Sequence, residues 1–432
     1  MGSRREGMTV AEVKNSFRGQ SLLSGKGLGA DADAFTTADV GAAGWRILDE
    51  DVSLPAAVLQ ASAMQHNLDW MAAFMRAYRV ALAPHGKTTM CPALFQRQMQ
   101  AGAWGITLAT APQVQAAHAH GIGRVLMANQ LVGKANMAII ARLLRRPDFE
   151  FCCLVDSVDN VEALGRFFAG SGLRLRVLLE IGVAGGRSGV RDDAQAAAVV
   201  QALQRWPQAL ALVGVEVYEG VLKDEAGIRG LLRRTLDRFQ ALRQAAAFAE
   251  SPALLSGAGS AWFDVVAEEF AAVAGEDDVQ VVLRPGCYLS HDVGAYRQAA
   301  QRMQSSNPVA RDLGEGLRPA LQVWACVQSR PEPERVIVAL GKRDAAYDAG
   351  LPQPHWHYRP GSDAPVKAAP GWQLTAMMDQ HAFLQVDADA DIAVGDLLSF
   401  DISHPCLTFD KWRHLLVVDD DWQVREALPT CF

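Results

Sequence analysis

Short apolar segments alternate with longer helix-like segments through the middle of this chain, and this alternation constrains its fold most strongly. Stretches rich in Ala, Leu, Gln and Arg separate short runs of Val, Leu and Ile. Each separating stretch is long enough for a crossover helix, so the pattern predicts repeated βα units and a parallel sheet. After a first helix, strands are predicted at residues 80–83, 105–109, 124–128, 151–156, 175–181, 212–218, 253–256 and 279–284.

These units favour an α/β fold of the TIM type, a (β/α)8 barrel spanning residues 51–303. An open, doubly wound sheet remains the structural alternative. In a barrel, the side chains that carry chemistry lie at the carboxyl ends of the strands. We therefore expect the functional residues to follow the predicted strands.

The character of the chain changes after a predicted linker at residues 304–316. Short β-type runs divided by Gly, Pro and Asp occupy residues 321–327, 336–340, 382–386, 396–400 and 415–418. They predict a C-terminal all-β domain over residues 317–432. Residues 1–50 show only weak patterning and form an N-terminal segment.

The composition argues against several classes of partner. A net charge of -7 disfavours nucleic acid and anionic membranes, and no apolar run is long enough to span a bilayer. The first residues lack the hydrophobic stretch of a secretory signal, so we expect a cytoplasmic protein. The seven cysteines are odd in number and widely spread, which fits reduced thiols. Except for Cys406, we expect them to be buried or inert.

Lys87 is the first candidate for chemistry. It follows the first predicted barrel strand, directly after His85 and Gly86. A lysine at such a strand end points into a pocket, where desolvation lets it act as a nucleophile toward an aldehyde. A solvated surface lysine is the alternative.

A Gly- and Ser-rich turn after the seventh barrel strand suggests an anion site. Glycines let the backbone approach an anion closely, hydroxyls can donate to it, and the following helix adds a partial positive charge. Barrels often bind phosphate between the loops after strands seven and eight. The predicted phosphate-binding residues are Ser256, Gly257, Gly259 and Ser260, with Gly286 in the next loop. A simple tight turn is the alternative.

Two further strand ends carry candidate cofactor contacts. Arg187 lies in a Gly-flanked loop and could hold a phenolate or carboxylate oxygen, although an ordinary surface arginine fits the loop equally well. Tyr218 closes the sixth barrel strand, where it either packs or meets the ring nitrogen of a cofactor.

The segment His404-Pro405-Cys406 is the sharpest signal in the second region. In extended chain, residues two apart face the same side, so the imidazole and the thiolate could share one ion such as Zn²⁺. Two ligands would leave positions open for water or substrate, as in a catalytic site. The alternative is a buried His and Cys. His355 and His357 have the same spacing but lie in a Pro-rich stretch, and we expect them to be exposed.

Together these motifs resemble the pyridoxal-phosphate enzymes of the alanine racemase-like fold (fold type III), in the branch of D-serine dehydratases, D-threonine aldolases and related deaminases. The segment Pro84-His85-Gly86-Lys87-Thr88 resembles the family's Pro-His-x-Lys-Thr motif, whose lysine carries the cofactor as a Schiff base. The loop containing Arg187, the run from Arg284 to Tyr288, and the segment of residues 403–411 resemble further family motifs. Residues 379–382 depart from the usual Glu-His-Gly, which leaves His381 without an assigned role.

The resemblance implies a metal-assisted β-elimination of a D-β-hydroxy amino acid such as D-serine. Lys87 would act as the base, and Zn²⁺ or Mn²⁺ on His404 and Cys406 would assist the departure of the hydroxyl. It also implies that His85, Arg187 and Tyr288 contact the cofactor, that the chain forms a homodimer, and that part of the N-terminal segment joins the β domain. Cys406 favours dehydration over D-threonine aldol cleavage, because the aldolases pair the metal histidine with aspartate. A racemase and a non-catalytic cofactor carrier are lesser alternatives.

Overall fold

The computed structural model describes residues 22, 25–37 and 39–432. Helix α1 (Val40–Ala43) and strand β1 (Ala56–Gln60) precede a sheet of eight parallel strands. These eight are β2 (Ala81–Leu82), β3 (Ile106–Leu108), β4 (Arg124–Gln130), β5 (Glu150–Val155), β6 (Leu175–Ile181), β7 (Leu210–Val217), β8 (Ala253–Gly257) and β9 (Val279–Leu283). All eight predicted barrel strands are therefore confirmed, with bounds that differ by a few residues.

The sheet closes on itself, which excludes the doubly wound alternative. Along the sheet the strands follow the order β2-β9-β8-β7-β6-β5-β4-β3. Between its two ends, Thr107 donates its N–H to Pro84 O at 2.9 Å, and Trp104 donates to Leu82 O at 2.7 Å. A parallel bridge between His85 and Thr107 completes the closure. The predicted α/β barrel is thus confirmed.

Helices connect the barrel strands, and side chains fix where several of them begin. Thr110, Ser157, Asp192 and Asp224 each accept a hydrogen bond from a backbone N–H of the first helical turn. These helices start beside the carboxyl ends of strands. The barrel helices are α2 (Ala61–Tyr78), α3 (Pro92–Gln100), α4 (Ala111–Ala119), α5 (Lys134–Leu143), α6 (Val158–Ala169), α7 (Asp193–Leu203), α8 (Glu225–Gln244) and α9 (Phe263–Phe270).

The segment predicted as a linker is mostly helical. Helix α10 (Ala295–Ser306) runs into it, and helix α11 (Pro308–Asp312) follows after one residue. Asn307 accepts a hydrogen bond from Ala310 N at 2.9 Å, so it caps α11. The Asn-Pro pair that suggested a linker is a helix start, since proline favours the first helical position.

The C-terminal region forms a second, mostly antiparallel sheet, which confirms the predicted all-β domain. Its strands after β1 are β10 (Leu321–Glu332), β11 (Arg335–Val338), β12 (Gln353–Tyr358), β13 (Val366–Lys367), β14 (Gln373–Met377), β15 (Ala382–Gln385), β16 (Leu397–Asp401), β17 (His414–Val418) and β18 (Val424–Pro429). The main path of the sheet runs β13-β12-β16-β10-β1-β17-β18, and β11, β15 and β14 extend it from β10. Helix α12 (Cys406–Phe409) lies between β16 and β17.

Strand β1 comes before the barrel in sequence but belongs to this second sheet. It pairs antiparallel with β10 and parallel with β17. The described residues before it also pack here, where Trp45 and Ile47 share an apolar core with Trp324 and Trp422. The second sheet is therefore built from both ends of the chain.

The expectation that His355 and His357 are exposed is wrong. Both lie on β12, which pairs with β16. His355 Nδ1 lies 2.5 Å from Asp401 Oδ2, and His357 Nε2 lies 2.7 Å from Asp396 Oδ2. The pairing with carboxylates on the neighbouring strand half-buries both rings.

In the part of the chain that the structure describes, none of the helices combines the length and the apolar character needed to cross a membrane.

Candidate active site

The lysine motif forms a short 3-10 turn (Gly86–Thr88) directly after β2. Gly86 fits there because a side chain at its position would approach Phe95 within 2.7 Å and Ile106 within 2.9 Å. Lys87 is exposed on the turn. The amine is therefore accessible to solvent, and the desolvation expected of a lysine at this strand end is not found.

His85 stands beside this turn as a neutral imidazole. Burial lowers its pKa well below the usual value, and the positive charges of Lys87, Arg284 and Arg187 lower it further. Its Nδ1 is buried, and no described residue hydrogen-bonds it. Such a ring can contact a cofactor without adding charge.

Two backbone N–H groups of the loop after β9 converge on one point. Those of Gly286 and Cys287 both donate to Ser260 Oγ, each at 3.0 Å. A side chain on Gly286 would come within 2.7 Å of His85 O and of Thr88 Oγ1, so only glycine lets this loop approach the lysine turn. Converging N–H groups and a hydroxyl suit a phosphate.

The other predicted phosphate ligands are already engaged. Ser256 is fully buried in β8, where its hydroxyl donates to Val282 O at 3.0 Å. Gly257 packs in the interior, because a side chain there would meet Val217 at 3.2 Å. Gly259 donates its N–H to Glu219 Oε1 at 2.7 Å. The structure therefore brings Ser260 and Gly286 together. It places Ser256 and Gly257 in the packed interior of the barrel, where they are not available to a phosphate.

Arg187 and Tyr218, which follow the neighbouring strands β6 and β7, are in contact at the barrel mouth. The guanidinium carbon of Arg187 lies 4.5 Å from the centre of the Tyr218 ring. Burial and the nearby Glu219 raise the pKa of Tyr218, so its phenol stays protonated. Tyr288 is set deeper, and its hydroxyl accepts a hydrogen bond from Gln98 Nε2 at 3.2 Å.

A buried ion pair that the sequence analysis did not single out lies near these residues. Arg284 donates to Glu216 and, at 3.1 Å, to Val217 O. Burial raises the pKa of Glu216 to about 8, against the lowering effect of Arg284. Arg284 Nε and Glu216 Oε2 are buried without a partner among the described groups. The Arg-Pro-Gly motif that begins at Arg284 was the sequence feature that could have indicated this residue.

His404 and Cys406 come together as the sequence predicted, although α12 begins at Cys406 and the spacing is not that of a strand. His404 Nδ1 lies 2.8 Å from Asp348 Oδ2, and a carboxylate can only accept, so this nitrogen donates. Hydrogen bonding to Cys406 and then Asp348 raises the pKa of His404 to about 9. Hydrogen bonds from Cys287 and His404 lower the pKa of Cys406. Both shifts favour an imidazolium facing a thiolate.

This donor set fits a borderline ion such as Zn²⁺. An imidazole and a thiolate are both ligands of that class, and the Asp348 carboxylate on the remote ring nitrogen is the usual partner of a metal-binding histidine. Within the described residues, no group of three or more His, Cys, Asp and Glu side chains is arranged to hold a metal ion. His404 and Cys406 are thus the two candidate protein ligands.

The lysine turn and this pair are in direct contact. Thr88 Oγ1, next to Lys87, lies 3.4 Å from Cys406 Sγ. Cys287 Sγ lies 3.8 Å from the same sulfur, and Cys287 is buried, as the sequence analysis expected. No sequence motif linked Cys287 to Cys406, because 119 residues separate them.

Family models match both halves of the chain. A model described as "Alanine racemase, N-terminal domain" matches residues 59–281, and one described as "Putative serine dehydratase domain" matches residues 320–418. These ranges cover most of the barrel and most of the second sheet.

Individual relatives agree with these models. The chain is 29% identical to D-threonine aldolase of Arthrobacter sp. over 387 residues, which cover 86% of this chain and 92% of the relative. It is 34% identical to D-threo-3-hydroxyaspartate dehydratase of Delftia sp. over 139 residues, 32% of this chain and 36% of that one. The structure of D-threonine aldolase from Filomicrobium marinum superposes with a TM-score of 0.74 at 26% identity, over 90% of this chain and 97% of that one. The chain therefore belongs to the alanine racemase-like family of pyridoxal-phosphate enzymes, in the group that joins the barrel to a serine dehydratase-like domain.

Proposed function

We propose that this protein is a pyridoxal-phosphate-dependent lyase that, with the help of a metal ion, eliminates water from a D-β-hydroxy amino acid such as D-serine, after which hydrolysis gives a 2-oxo acid and ammonia. The observation that carries the proposal is the 3.4 Å contact between Thr88 Oγ1 and Cys406 Sγ. It sets the candidate metal ligands beside the lysine that would hold the cofactor. One substrate could then meet both groups.

The geometry at the barrel mouth supports a set of cofactor contacts. Ser260 and the N–H groups of Gly286 and Cys287 would bind the phosphate. Arg187, stacked on Tyr218, would hold the phenolic oxygen with its fixed fork of donors. Bound in this way, pyridoxal phosphate supplies an electron sink for negative charge at the substrate α-carbon.

Lys87 has two roles in this proposal. Its amine would hold the cofactor covalently. The same amine would serve as the general base that takes the substrate's α-proton. Lys87 is exposed on its turn, which leaves its side chain free for both roles.

The metal ligands would serve the leaving group. His404 and Cys406 would hold Zn²⁺ or Mn²⁺, and such an ion supplies a Lewis acid that makes a bound hydroxyl easier to expel. Asp348 keeps the His404 ring oriented by accepting from Nδ1 at 2.8 Å. For D-serine, the products are pyruvate and ammonia.

Cleavage of D-threonine to glycine and acetaldehyde is the second candidate. The 29% identity to D-threonine aldolase extends over 92% of that relative, whereas the match to the dehydratase covers 36% of its length. In the aldol reaction the β-hydroxyl must lose a proton instead of leaving. Cys406 is the residue that favours dehydration, since the resemblance assigns aspartate to this position in the aldolases.

Product analysis with D-threonine separates the two reactions. The purified enzyme, saturated with pyridoxal phosphate and Zn²⁺ or Mn²⁺, is incubated with D-threonine, and 2-oxobutyrate, acetaldehyde and glycine are quantified. We expect 2-oxobutyrate to dominate. Acetaldehyde and glycine in equal amounts, with no oxo acid, would establish the aldolase instead.

The metal requirement is tested with D-serine. Pyruvate formation should stop with a chelator and return on addition of Zn²⁺ or Mn²⁺. A Cys406→Ser variant should need much more metal for the same recovery, because it loses the thiolate ligand. Full activity in the chelator-treated enzyme would refute metal assistance.

The cofactor assignment is tested with Lys87→Ala and a control, Lys134→Ala. Lys134 begins helix α5 and is exposed. Only Lys87→Ala should lose the visible absorbance of the imine and the mass added by borohydride reduction. Retention of both signals would place the covalent link elsewhere.

We also propose that the protein is a cytoplasmic homodimer. All seven cysteines are free thiols, as expected in a reducing compartment. Tyr347 and Leu407, the neighbours of Asp348 and Cys406, are 47% and 40% exposed, an apolar surface that a second copy could cover. Light scattering on the eluting protein should give twice the chain mass.

A further inference from the structure

Two cysteines from different domains touch beside the lysine turn. Cys287 follows strand β9 of the barrel, and Cys406 begins helix α12 of the β domain. Their sulfurs lie 3.8 Å apart, and Thr88 Oγ1 lies near both, 3.9 Å from Cys287 Sγ and 3.4 Å from Cys406 Sγ. We propose that a hydroperoxide oxidises Cys287 and Cys406 to a reversible disulfide that switches the enzyme off.

The geometry permits the bond with a small movement. A disulfide requires a sulfur–sulfur distance of about 2.05 Å, so the two atoms must approach by about 1.8 Å. Cys287 lies in a loop and Cys406 at the start of a four-residue helix. Neither backbone is held in the middle of a long element, so side-chain rotation and a small loop shift can close the gap.

The two thiols differ in the way that a peroxide-sensitive pair requires. Cys406 is half-buried and therefore within reach of a small oxidant, whereas Cys287 is only 3% exposed. Cys406 is therefore the thiol that the oxidant meets first, and Cys287 is the buried partner that closes the bond.

The reaction balances with hydrogen peroxide as the oxidant. The Cys406 thiolate attacks one peroxide oxygen, the O–O bond breaks, and hydroxide leaves as Cys406 becomes a sulfenic acid. Cys287 then loses its proton, its sulfur attacks Cys406 Sγ, and the sulfenic oxygen departs as water. The two sulfurs lose two electrons in total, and the peroxide gains them.

The other five thiols lack these features. Burial raises the pKa of Cys91 and of Cys152 to about 12, and it also raises that of Cys153. The pKa values of Cys326 and Cys431 are raised as well. Oxidation should therefore select Cys406 and its neighbour.

The disulfide would disable the site that we propose. It removes the thiolate that would hold the metal ion and ties the helix that carries Cys406 to the loop that binds phosphate. A bound ion should in turn slow the oxidation, because it occupies the reactive sulfur. The bond itself depends only on the two thiols, but its effect on turnover rests on the proposed function.

Peptide mapping tests the bond directly. The purified enzyme is treated with hydrogen peroxide with and without prior chelation, remaining thiols are alkylated, and the protein is digested with trypsin. Residues 244–297 contain Cys287 as their only cysteine, and residues 368–411 contain only Cys406. We expect these two peptides to appear linked, two hydrogen atoms lighter than their sum, and to separate on reduction with dithiothreitol.

Two variants sharpen the test. In Cys287→Ser, the linked peptide should be absent, and dimedone should label Cys406 as the trapped sulfenic acid. Cys326, on strand β10, provides the control. In Cys326→Ser, the linked peptide should form as it does in the unmodified protein. Peroxide-treated parent protein without this linked peptide, or with Cys406 joined to another cysteine, would overturn the proposal.

Activity measurements keep the two proposals separate. Loss of turnover with peroxide and its recovery with dithiothreitol, in step with the linked peptide, supports the switch. If the peptide forms but the reduced enzyme turns over neither D-serine nor D-threonine, the proposed function fails and the disulfide stands. If the reduced enzyme is active but the peptide never forms, only the switch is refuted.

Discussion

At the residue scale, His404 is held between a carboxylate and a thiolate. Asp348 accepts from Nδ1 at 2.8 Å, which leaves the other nitrogen for Cys406 or for a metal ion. Asp348→Ala removes this orientation, and we expect a 10- to 100-fold loss, roughly, in Zn²⁺ affinity. Competition with a coloured chelator measures the Zn²⁺ affinity of each variant. The exposed Asp363→Ala serves as the control, and equal affinities in both variants would show that Asp348 does not position the ring.

The contacts of His404 with Asp348 and Cys406 also predict how metal binding depends on pH. With its pKa raised to about 9, His404 is protonated at neutral pH, while the lowered pKa of Cys406 keeps the sulfur ionised. Binding must therefore expel the His404 proton, so affinity should rise about tenfold per pH unit from neutral pH and level off near pH 9. Calorimetry in two buffers of different ionisation enthalpy should detect the release of about one proton per ion. A pH-independent affinity would contradict this assignment.

At the scale of elements, the loop after β9 is packed closely on the lysine turn. An alanine at Gly286 would place a methyl group 2.7 Å from His85 O and from Thr88 Oγ1. Such overpacking costs about 1–3 kcal/mol, so pyridoxal phosphate should bind at least about fivefold more weakly. Titration of the imine absorbance measures this affinity. Gly371→Ala, with open space around it, should bind as the parent does.

The start of helix α11 is a second test at this scale. Asn307 is fully buried, caps α11, and donates to Tyr78 Oη at 2.6 Å and Glu268 Oε1 at 2.8 Å. Asn307→Ala removes all these bonds and should lower the free energy of unfolding by about 3 kcal/mol. Urea unfolding measures the difference. Asn136→Ala, which removes one exposed hydrogen bond to Val132 O, should change it by about 0.5 kcal/mol or less.

At the scale of the whole molecule, the barrel and the second sheet share one apolar core. Strand β1 pairs with β10 and β17, and helix α2 follows it directly into the barrel. Residues of β10 such as Leu321 and Val323 belong to the same core cluster as Leu59 and Leu68. A chain ending at residue 316 would expose both edges of β1 and this apolar surface.

We therefore expect the chain of residues 1–316 to aggregate, whereas the full chain should unfold in a single calorimetric transition. Exposed strand edges and apolar faces promote association between copies. Sedimentation and scanning calorimetry of both chains provide the comparison. A monomeric, folded 1–316 chain would show that the barrel is independent of the second sheet.

The sequence by itself determined the elements whose signal is local. The eight barrel strands could be predicted because buried parallel strands appear in the sequence as continuous apolar runs between segments of helix length. The motifs around Lys87 and His404 could be recognised in the sequence because the residues of each motif are adjacent. Strands β12, β14 and β18 lack a continuous apolar run and were missed.

Only the tertiary structure decided the contacts between distant segments. It brought Cys287 to Cys406 and Asp348 to His404, and it tied Ser256 into the barrel wall. It also assigned β1 to the second sheet, although its sequence precedes the barrel. The physical reason is that chain folding, not sequence spacing, sets the distances between residues of different elements. The chemistry available to each residue type could be inferred from the sequence, but which groups act together could not.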